Sequence, residues 1–246
     1  MISFAPESRI LVTGASSGIG ERVALLLNEL GATVIAVARN EVRLEGMRQK
    51  AKDPNRIFVE IADLSADIDS LPGYVKSLRD KYGKLRGMAL CAGVSQVLPV
   101  RALEYNDIKS LFDINYFSPV MMTKAFCDKR IHDGSGSAIV AISSIASVVQ
   151  AAGMTSYAGA KAALAASLKS IAKEVASLGV RINCVSPAMV NTPMAKGTDD
   201  LTDVNAHHYP FGFAEPDDIA NMIAFLLSEK AKWISGQNYV MDCASF

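Results

Sequence analysis

Arg9-Ile10-Leu11-Val12-Thr13-Gly14-Ala15-Ser16-Ser17-Gly18-Ile19-Gly20 reads as a short apolar strand, Arg9 to Thr13, that runs straight into a glycine-rich turn. A helix follows, with Val23, Leu26, Leu27 and Leu30 on its apolar face and Gly31 as its stop signal. In this setting glycines let the backbone approach a pyrophosphate, and the helix N-terminus favours its negative charge. Gly14, Ser16, Ser17, Gly18, Ile19 and Gly20 are therefore candidate dinucleotide ligands. The spacing is Gly-x-x-x-Gly-x-Gly, not the commoner Gly-x-Gly-x-x-Gly, and a tight turn that binds nothing is the alternative.

Ala32 to Ala38 is a second strand, almost wholly apolar, as a parallel strand covered on both faces should be. Dinucleotide folds that prefer NAD place a carboxylate at its end to hold ribose hydroxyls. Here Ala38 is followed by Arg39. A carboxylate would repel a 2′-phosphate and a guanidinium would grip one, so the predicted cofactor is NADP(H). Arg43, one helical turn on, reads as part of a solvated helix face. A helix over about 41–52 and a strand over 56–61 lead to Asp63-Leu64. Asp63 would either accept from an adenine amino group or cap the next helical segment, about 67–82, whose Pro72-Gly73 predicts a ragged start.

The alternation continues to the C-terminus. A fourth strand, 85–90, ends in Cys91-Ala92-Gly93, small residues that admit a flat ligand. Helices over about 104–114 and 117–131 flank Asn115, which reads as a helix-break residue. A strand over 137–143 precedes Ser144, and the helix carrying Tyr157 and Lys161 extends to about Leu178. A sixth strand, 180–186, closes in Pro187-Ala188, and a helix over 216–228 and a strand over 238–241 complete the chain. The pattern predicts one α/β domain over residues 1–246, a Rossmann-type doubly wound parallel sheet of about seven strands with helices on both faces. Residues 189–213 are polar and weakly periodic, and so long a connection is expected to be a substrate lid. Gly14 to Gly20, Arg39, Asp63, Cys91 to Gly93, Ser144 and Pro187 to Thr192 all follow carboxyl ends of strands, the edge at which open α/β sheets bind ligands.

Composition narrows the function. The chain has 246 residues, is 50% hydrophobic and carries a formal net charge of +0. No basic block suggests a nucleic-acid partner or a membrane surface, and no apolar run approaches the length of about 18 residues that spans a bilayer. Met1 to Ser8 has no signal-peptide pattern, so the expected location is cytoplasmic. Cys91, Cys127, Cys184 and Cys243 are scattered and read as free thiols in a reducing compartment. His132, His207 and His208 have no metal-ligand spacing with other donors, and no metal is predicted.

Tyr157 and Lys161 stand four residues apart, on one helix face. A nearby ammonium favours the phenolate, and Ser144 is placed to hydrogen-bond the oxygen being protonated, so the three read as an acid/base group. Tyr-x-x-x-Lys alone is common in helices; the order of all the motifs is what specifies a family. Thr13-Gly14-Ala15-Ser16-Ser17-Gly18-Ile19-Gly20, Asp63-Leu64, Cys91-Ala92-Gly93, Asn115, Ser144, Tyr157-Ala158-Gly159-Ala160-Lys161 and Asn183-Cys184-Val185-Ser186-Pro187-Ala188 together resemble the short-chain dehydrogenase/reductases over essentially the whole chain.

That resemblance implies an oxidoreductase that moves a hydride between NADP(H) and a ketone or secondary alcohol. It implies that Tyr157 exchanges the proton with the substrate oxygen, that Lys161 lowers the tyrosine pKa and bonds the nicotinamide ribose, and that Ser144 holds the carbonyl. Asn115 would complete a water-linked relay near Lys161. Val190 and Thr192 match positions that grip the carboxamide. There are departures. Relatives usually have Asn-Asn-Ala-Gly where this chain has Leu90-Cys91-Ala92-Gly93, which predicts a looser end to the fourth strand. Pro-Gly is usual at Pro187-Ala188, which predicts a restricted backbone there. The 3-oxoacyl-carrier-protein reductases commonly have a basic residue at Leu178, and its loss weakens a carrier-bound substrate.

Specificity is expected from Val94 to Val100, Ile145 to Thr155 and the lid, with Val97, Leu98, Val148, Val149, Met154, Met189, Met194, Tyr209 and Phe211 as apolar contacts and Gln96 and Gln150 as polar ones. His207 and His208 read as exposed lid residues. The favoured substrate is a 3-oxoacyl group or another small ketone, reduced with NADPH. A keto-sugar or hydroxysteroid dehydrogenase is the alternative, and a non-catalytic nucleotide sensor is the rival of another class. The family resemblance also implies a homotetramer or dimer, built partly on the helices around 104–131 and 156–178, where Ala162, Ala163, Ala165 and Ala166 would allow close packing.

Overall fold

Strand β1 (Arg9–Thr13) lies inside a sheet of seven parallel strands in the order β3-β2-β1-β4-β5-β6-β7. The others are β2 (Thr33–Ala38), β3 (Ile57–Ile61), β4 (Gly87–Leu90), β5 (Ala138–Ile142), β6 (Arg181–Pro187) and β7 (Asn238–Met241). The computed structural model describes residues 1–195 and 209–245. The strand order reverses between β1 and β4, which opens a crevice at their carboxyl ends. Every residue of β2 is buried, the expected state of a strand covered on both faces.

Strand alternation feeds two cores. Ile10, Val12, Val34 and Ala36 face one side with Val23, Leu27, Ile219 and Ile223. Those partners come from α1 (Gly18–Glu29) and α7 (Pro216–Leu227), with Leu44 from α2 (Glu41–Gln49). Leu11, Ile35 and Val37 face the other side with Val75, Phe126 and Leu164. These lie on α3 (Leu71–Tyr82), α5 (Ser118–Phe126) and α6 (Thr155–Glu174).

Several boundaries differ from expectation for local reasons. α3 starts at Leu71, not Asp67, because the Asp67 carboxylate and carbonyl accept from Ser70 and shape a turn before Pro72. α5 stops at Phe126 rather than 131, because Asp128 accepts the Arg130 N–H and closes a turn. Asn115 does not break a helix. α4 (Tyr105–Phe112) continues through a π-helical turn, Asp113–Phe117, directly into α5, with the Ser118 N–H reaching back to the Asp113 carbonyl. α6 ends at Glu174, and a 3₁₀ turn, Ala176–Leu178, carries the chain to Gly179.

Candidate active site

A cavity of about 1310 Å³ opens along the carboxyl edge of the sheet. It runs from Arg39, Asp63 and Leu64 past Gly14 to Gly20 and Cys91 to Gly93, and reaches Asn115, Ser144, Tyr157, Lys161 and the Pro187–Thr192 segment. Ala15 and Asn191 are the members of these segments absent from its wall. Segments separated by most of the chain thus share one surface.

The glycine turn leaves room where a ligand backbone contact would need it. Gly14 has φ +67, and a Cβ there would lie 3.0 Å from the Ala92 backbone. The end of β4 is also tighter than the Cys91 departure predicts. The buried Thr13 hydroxyl accepts both the Cys91 and Ala92 N–H groups, at 3.0 and 3.1 Å. Ala188 needs no glycine either: Cys243 and Ala244 are the non-glycine residues with positive φ among those described, and the Ala188 N–H bonds the Met241 carbonyl at 2.9 Å. Free of a Cβ at Gly18 and Gly93, and lined by guanidinium groups at one end, the cavity fits a phosphorylated dinucleotide.

At the far end the chemistry gathers around α6. Ser143 and Ser144 have different tasks. The Ser143 hydroxyl donates to the Lys161 carbonyl at 2.9 Å and ties α6 to β5. Ser144 lines the cavity, accepts the Ala146 N–H at 3.2 Å and hydrogen-bonds Tyr157. The Lys161 ammonium donates to the Ile142 carbonyl at 2.8 Å and lies 5.9 Å from the centre of the Tyr157 ring. Asn115 is fully buried; its side chain accepts from the Val94 N–H at 3.3 Å and donates to the Val94 carbonyl at 2.9 Å. A Cβ on Gly93 would stand 2.6 Å from Asn115 Oδ1 and 3.4 Å from Lys161 Nζ, so glycine is what lets these two groups converge.

Burial opposes charge on both members of the pair. It pushes Lys161 down to about 8, with Cys184 and Cys91 as smaller opposing influences. It holds the Tyr157 phenol above its ordinary value, partly offset by the Ser144 hydrogen bond. The lysine therefore does not hold the phenol below 10 in this state of the site, contrary to the expectation from charge proximity. Cys91, on the cavity wall, is pushed up to about 12 by burial and is a poor nucleophile.

Arg43 is exposed, as expected of a solvated helix face, and borders the cavity beside Arg39. Asp63 does not cap a helix: its Oδ1 accepts the N–H and hydroxyl of Ser65, at 2.9 and 2.7 Å, and the residue lines the cavity. Of the expected specificity residues, Gln96, Val97, Val149, Gln150, Met154, Met189, Met194 and Tyr209 line the cavity, whereas Leu98, Val148 and Phe211 do not. His207 and His208 lie outside the described residues. Thr13, Ser143 and the Ile142 carbonyl were not singled out as site-building groups. Thr13 sits inside the first motif, but its partners 78 and 79 residues away leave no local trace.

Residues 14–243 match the family model described as enoyl-(acyl carrier protein) reductase. Zerumbone synthase of Zingiber zerumbet is 33% identical over 94% of this chain and 92% of its own length. The 3-oxoacyl-(acyl-carrier-protein) reductase of Vibrio harveyi is 32% identical over 92% of each. This chain belongs to the short-chain dehydrogenase/reductase family of oxidoreductases. Among solved structures, a short-chain dehydrogenase from Burkholderia cenocepacia in complex with NADP superposes with a TM-score of 0.89, at 27% identity, over 97% of this chain and 98% of that one. Among the described residues, no helix is long and apolar enough to cross a membrane, and no three His, Cys, Asp or Glu side chains gather closely enough to hold a metal ion.

Proposed function

We propose that this protein is an NADP(H)-dependent carbonyl reductase acting on a 3-oxoacyl group or another small ketone. One observation carries the reading: a single cavity joins the arginine and glycine end to the Ser144, Tyr157 and Lys161 end. NADP(H), held by the Gly14–Gly20 turn, Arg39, Asp63, Leu64, Cys91 to Gly93, Pro187, Ala188, Val190 and Thr192, supplies the hydride when bound. The chain's own groups do the rest. Ser144 holds the carbonyl oxygen, and Tyr157, kept protonated by burial at neutral pH, donates its proton to that oxygen. Lys161 would hold the nicotinamide ribose and re-protonate the phenolate, taking its own proton back from solvent through a water-linked relay beside Asn115, whose side chain is fixed to the Val94 backbone.

The substrate end is mainly apolar, with Gln96 and Gln150 as polar contacts. Leu178 packs against the core and offers no cation to an acidic carrier, so a free small ketone is favoured over a carrier-bound one. Keto-sugars and steroids are alternatives of the same chemistry. A substrate lid over about 189–213 remains part of this reading; Val190 and Ala214 form a bridge at its base, and residues 196–208 lie outside those described. Free thiols at Cys91, Cys127, Cys184 and Cys243 suit a reducing, cytoplasmic setting. Exposed Tyr105 and Phe117, on the side of the molecule formed by α4, α5 and α6, support a homo-oligomer, tetramer or dimer.

Calorimetric titration with NADPH and NADH, followed by a ketone screen, tests this. NADPH binds more tightly, and Tyr157→Phe retains that binding while turnover falls about a thousandfold. Retained activity in Tyr157→Phe would favour the nucleotide-sensing alternative.

A further inference from the structure

Tyr209 is held from more sides than a cavity wall needs. Pro210 and Gly212 shape a turn in which the Gly212 N–H donates to the Tyr209 carbonyl at 3.0 Å, with Gly212 at φ +75. The Tyr209 ring meets Phe213 edge-on, with centroids 5.1 Å apart. The residue is buried and lines the cavity, whereas Phe211, two positions on, stands in solvent. The phenol oxygen accepts the Met189 N–H and is hydrogen-bonded to Ser245. Met189 is fixed in turn, its carbonyl accepting the Ala214 N–H at 3.0 Å, and it shares the cavity wall with Tyr209.

Ser245 closes a turn just after β7. Its N–H and hydroxyl both donate to the Asp242 carbonyl, at 3.0 and 2.6 Å, and the Asp242 carboxylate accepts the Ala244 N–H at 3.2 Å. The Ser245 proton is thus committed to Asp242, which leaves the serine oxygen to accept from the phenol. The bonds run in one direction, from the Met189 N–H to Tyr209, from Tyr209 to Ser245, and from Ser245 to the Asp242 carbonyl. Cys243 and Ala244, inside this turn, have φ +49 and +58, a region that disfavours a Cβ. Strain of this kind persists where surrounding contacts over-determine it, and here the contact is with a residue of the cavity wall.

We propose that the C-terminal turn, Asp242 to Ser245, is a specificity element of the carbonyl site, acting through Tyr209, whose immobilised ring limits the bulk of the group beside the reacting carbonyl. The inference rests on the carbonyl-reductase reading above. Tyr209 touches the substrate, and Ser245 is a positioning residue. A ring held at its edge by Phe213 and at its hydroxyl by Met189 and Ser245 does not swing aside, so a large substituent meets a wall and a small one does not.

The test is reduction by NADPH of ethyl acetoacetate and ethyl benzoylacetate, which differ in a methyl against a phenyl on the reacting carbon. Tyr209→Ala raises kcat/KM for the phenyl ester relative to the methyl ester about tenfold or more, the scale of discrimination in apolar pockets. Tyr209→Leu moves the ratio the same way and serves where alanine leaves the chain unfolded. Tyr209→Phe and Ser245→Ala loosen the ring without removing it; each raises the ratio about threefold, and the double variant does no more than either alone, because both cut one link. Ser245→Thr restores the wild-type ratio. Equal changes for the two esters in Tyr209→Ala and Tyr209→Leu would overturn the proposal, as would multiplying effects of Tyr209→Phe and Ser245→Ala, and the carbonyl-reductase reading would survive either result. A wild-type protein that reduces no ketone would overturn both.

Discussion

Lys161 and Arg181 are both buried cations, at opposite edges of one sheet. Arg181 opens β6 at the amino edge. Its guanidinium donates to the carbonyls of Leu226, Leu227 and Ser228, at 2.6, 3.4 and 3.1 Å, and so closes the C-terminus of α7. Lys161 sits over the carboxyl edge, donates to the Ile142 carbonyl and otherwise faces the cavity. Desolvation disfavours the charge on both, in Arg181 with help from Arg86. The difference lies in what their donors meet. A guanidinium whose two terminal nitrogens are held by carbonyls at a helix end, with only Nε left unpartnered, is a fastening. An ammonium with protons directed at a cavity is a reagent, and its burial is a cost that the rest of the fold must offset.

Substitutions at each cation sharpen that contrast. Lys161→Met should lower turnover by about a thousandfold without lowering the melting temperature, because it removes a desolvated charge along with its single carbonyl bond. The same variant should erase a pH effect. Lys161 releases its proton at about 8 in the folded chain against 10.5 as a free side chain, so between these values the unfolded chain holds more protons. The Lys161 contribution to stability therefore climbs as pH rises through that window, by on the order of 3 kcal/mol, while the thiols of Cys91, Cys127 and Cys184, held above their ordinary value by burial, contribute in the opposite direction above pH 9. Denaturant melts of wild type and Lys161→Met at about pH 7.5 and 10 isolate that contribution: the stability of wild type relative to the variant rises between the two pH values, and an unchanged difference would overturn the burial argument.

Arg181→Leu should behave in the opposite way. Stability falls by about 3 kcal/mol as three helix carbonyls lose their donors, while turnover per folded molecule is unchanged. A turnover loss that outruns the folded fraction would dissolve the distinction between fastening and reagent. The smallest effect belongs to Thr13→Val, which leaves the Cys91 and Ala92 N–H groups without their acceptor and costs about 2 kcal/mol by the same melts. Because these N–H groups border the cavity, the variant should also weaken dinucleotide binding, unlike Arg181→Leu.

What was legible in the sequence follows from range. β1 is legible at Arg9–Thr13 because burial on both faces demands an apolar run, whereas β7, Asn238–Met241, is a part-exposed edge strand marked only by its short apolar stretch. The gathering of Ser144, Tyr157 and Lys161 was legible because strand ends and helix spacing fix direction locally. The roles of Thr13 and Ser143 were not, since a hydroxyl carries no mark of the distant backbone it will bond. The π turn at Asn115 was read as a break because composition shows an interruption in a helical pattern but not that the backbone bonds simply lengthen by one residue.

That turn has a consequence for the chain as a heritable object. Tyr105 to Phe126 is a continuous helical path with one surplus residue in it. Deleting a single residue such as Ile114 would leave an ordinary α-helix, shorter by one step and easier to form. The helices on either side would keep their facing, because the turn already absorbs the extra residue, and only the bulged segment would be drawn in. Asn115 would then be carried off the Val94 backbone while α5 stayed docked in its core. Insertion or loss of one codon at this point is thus a toggle between a regular scaffold and one that places an amide beside Lys161.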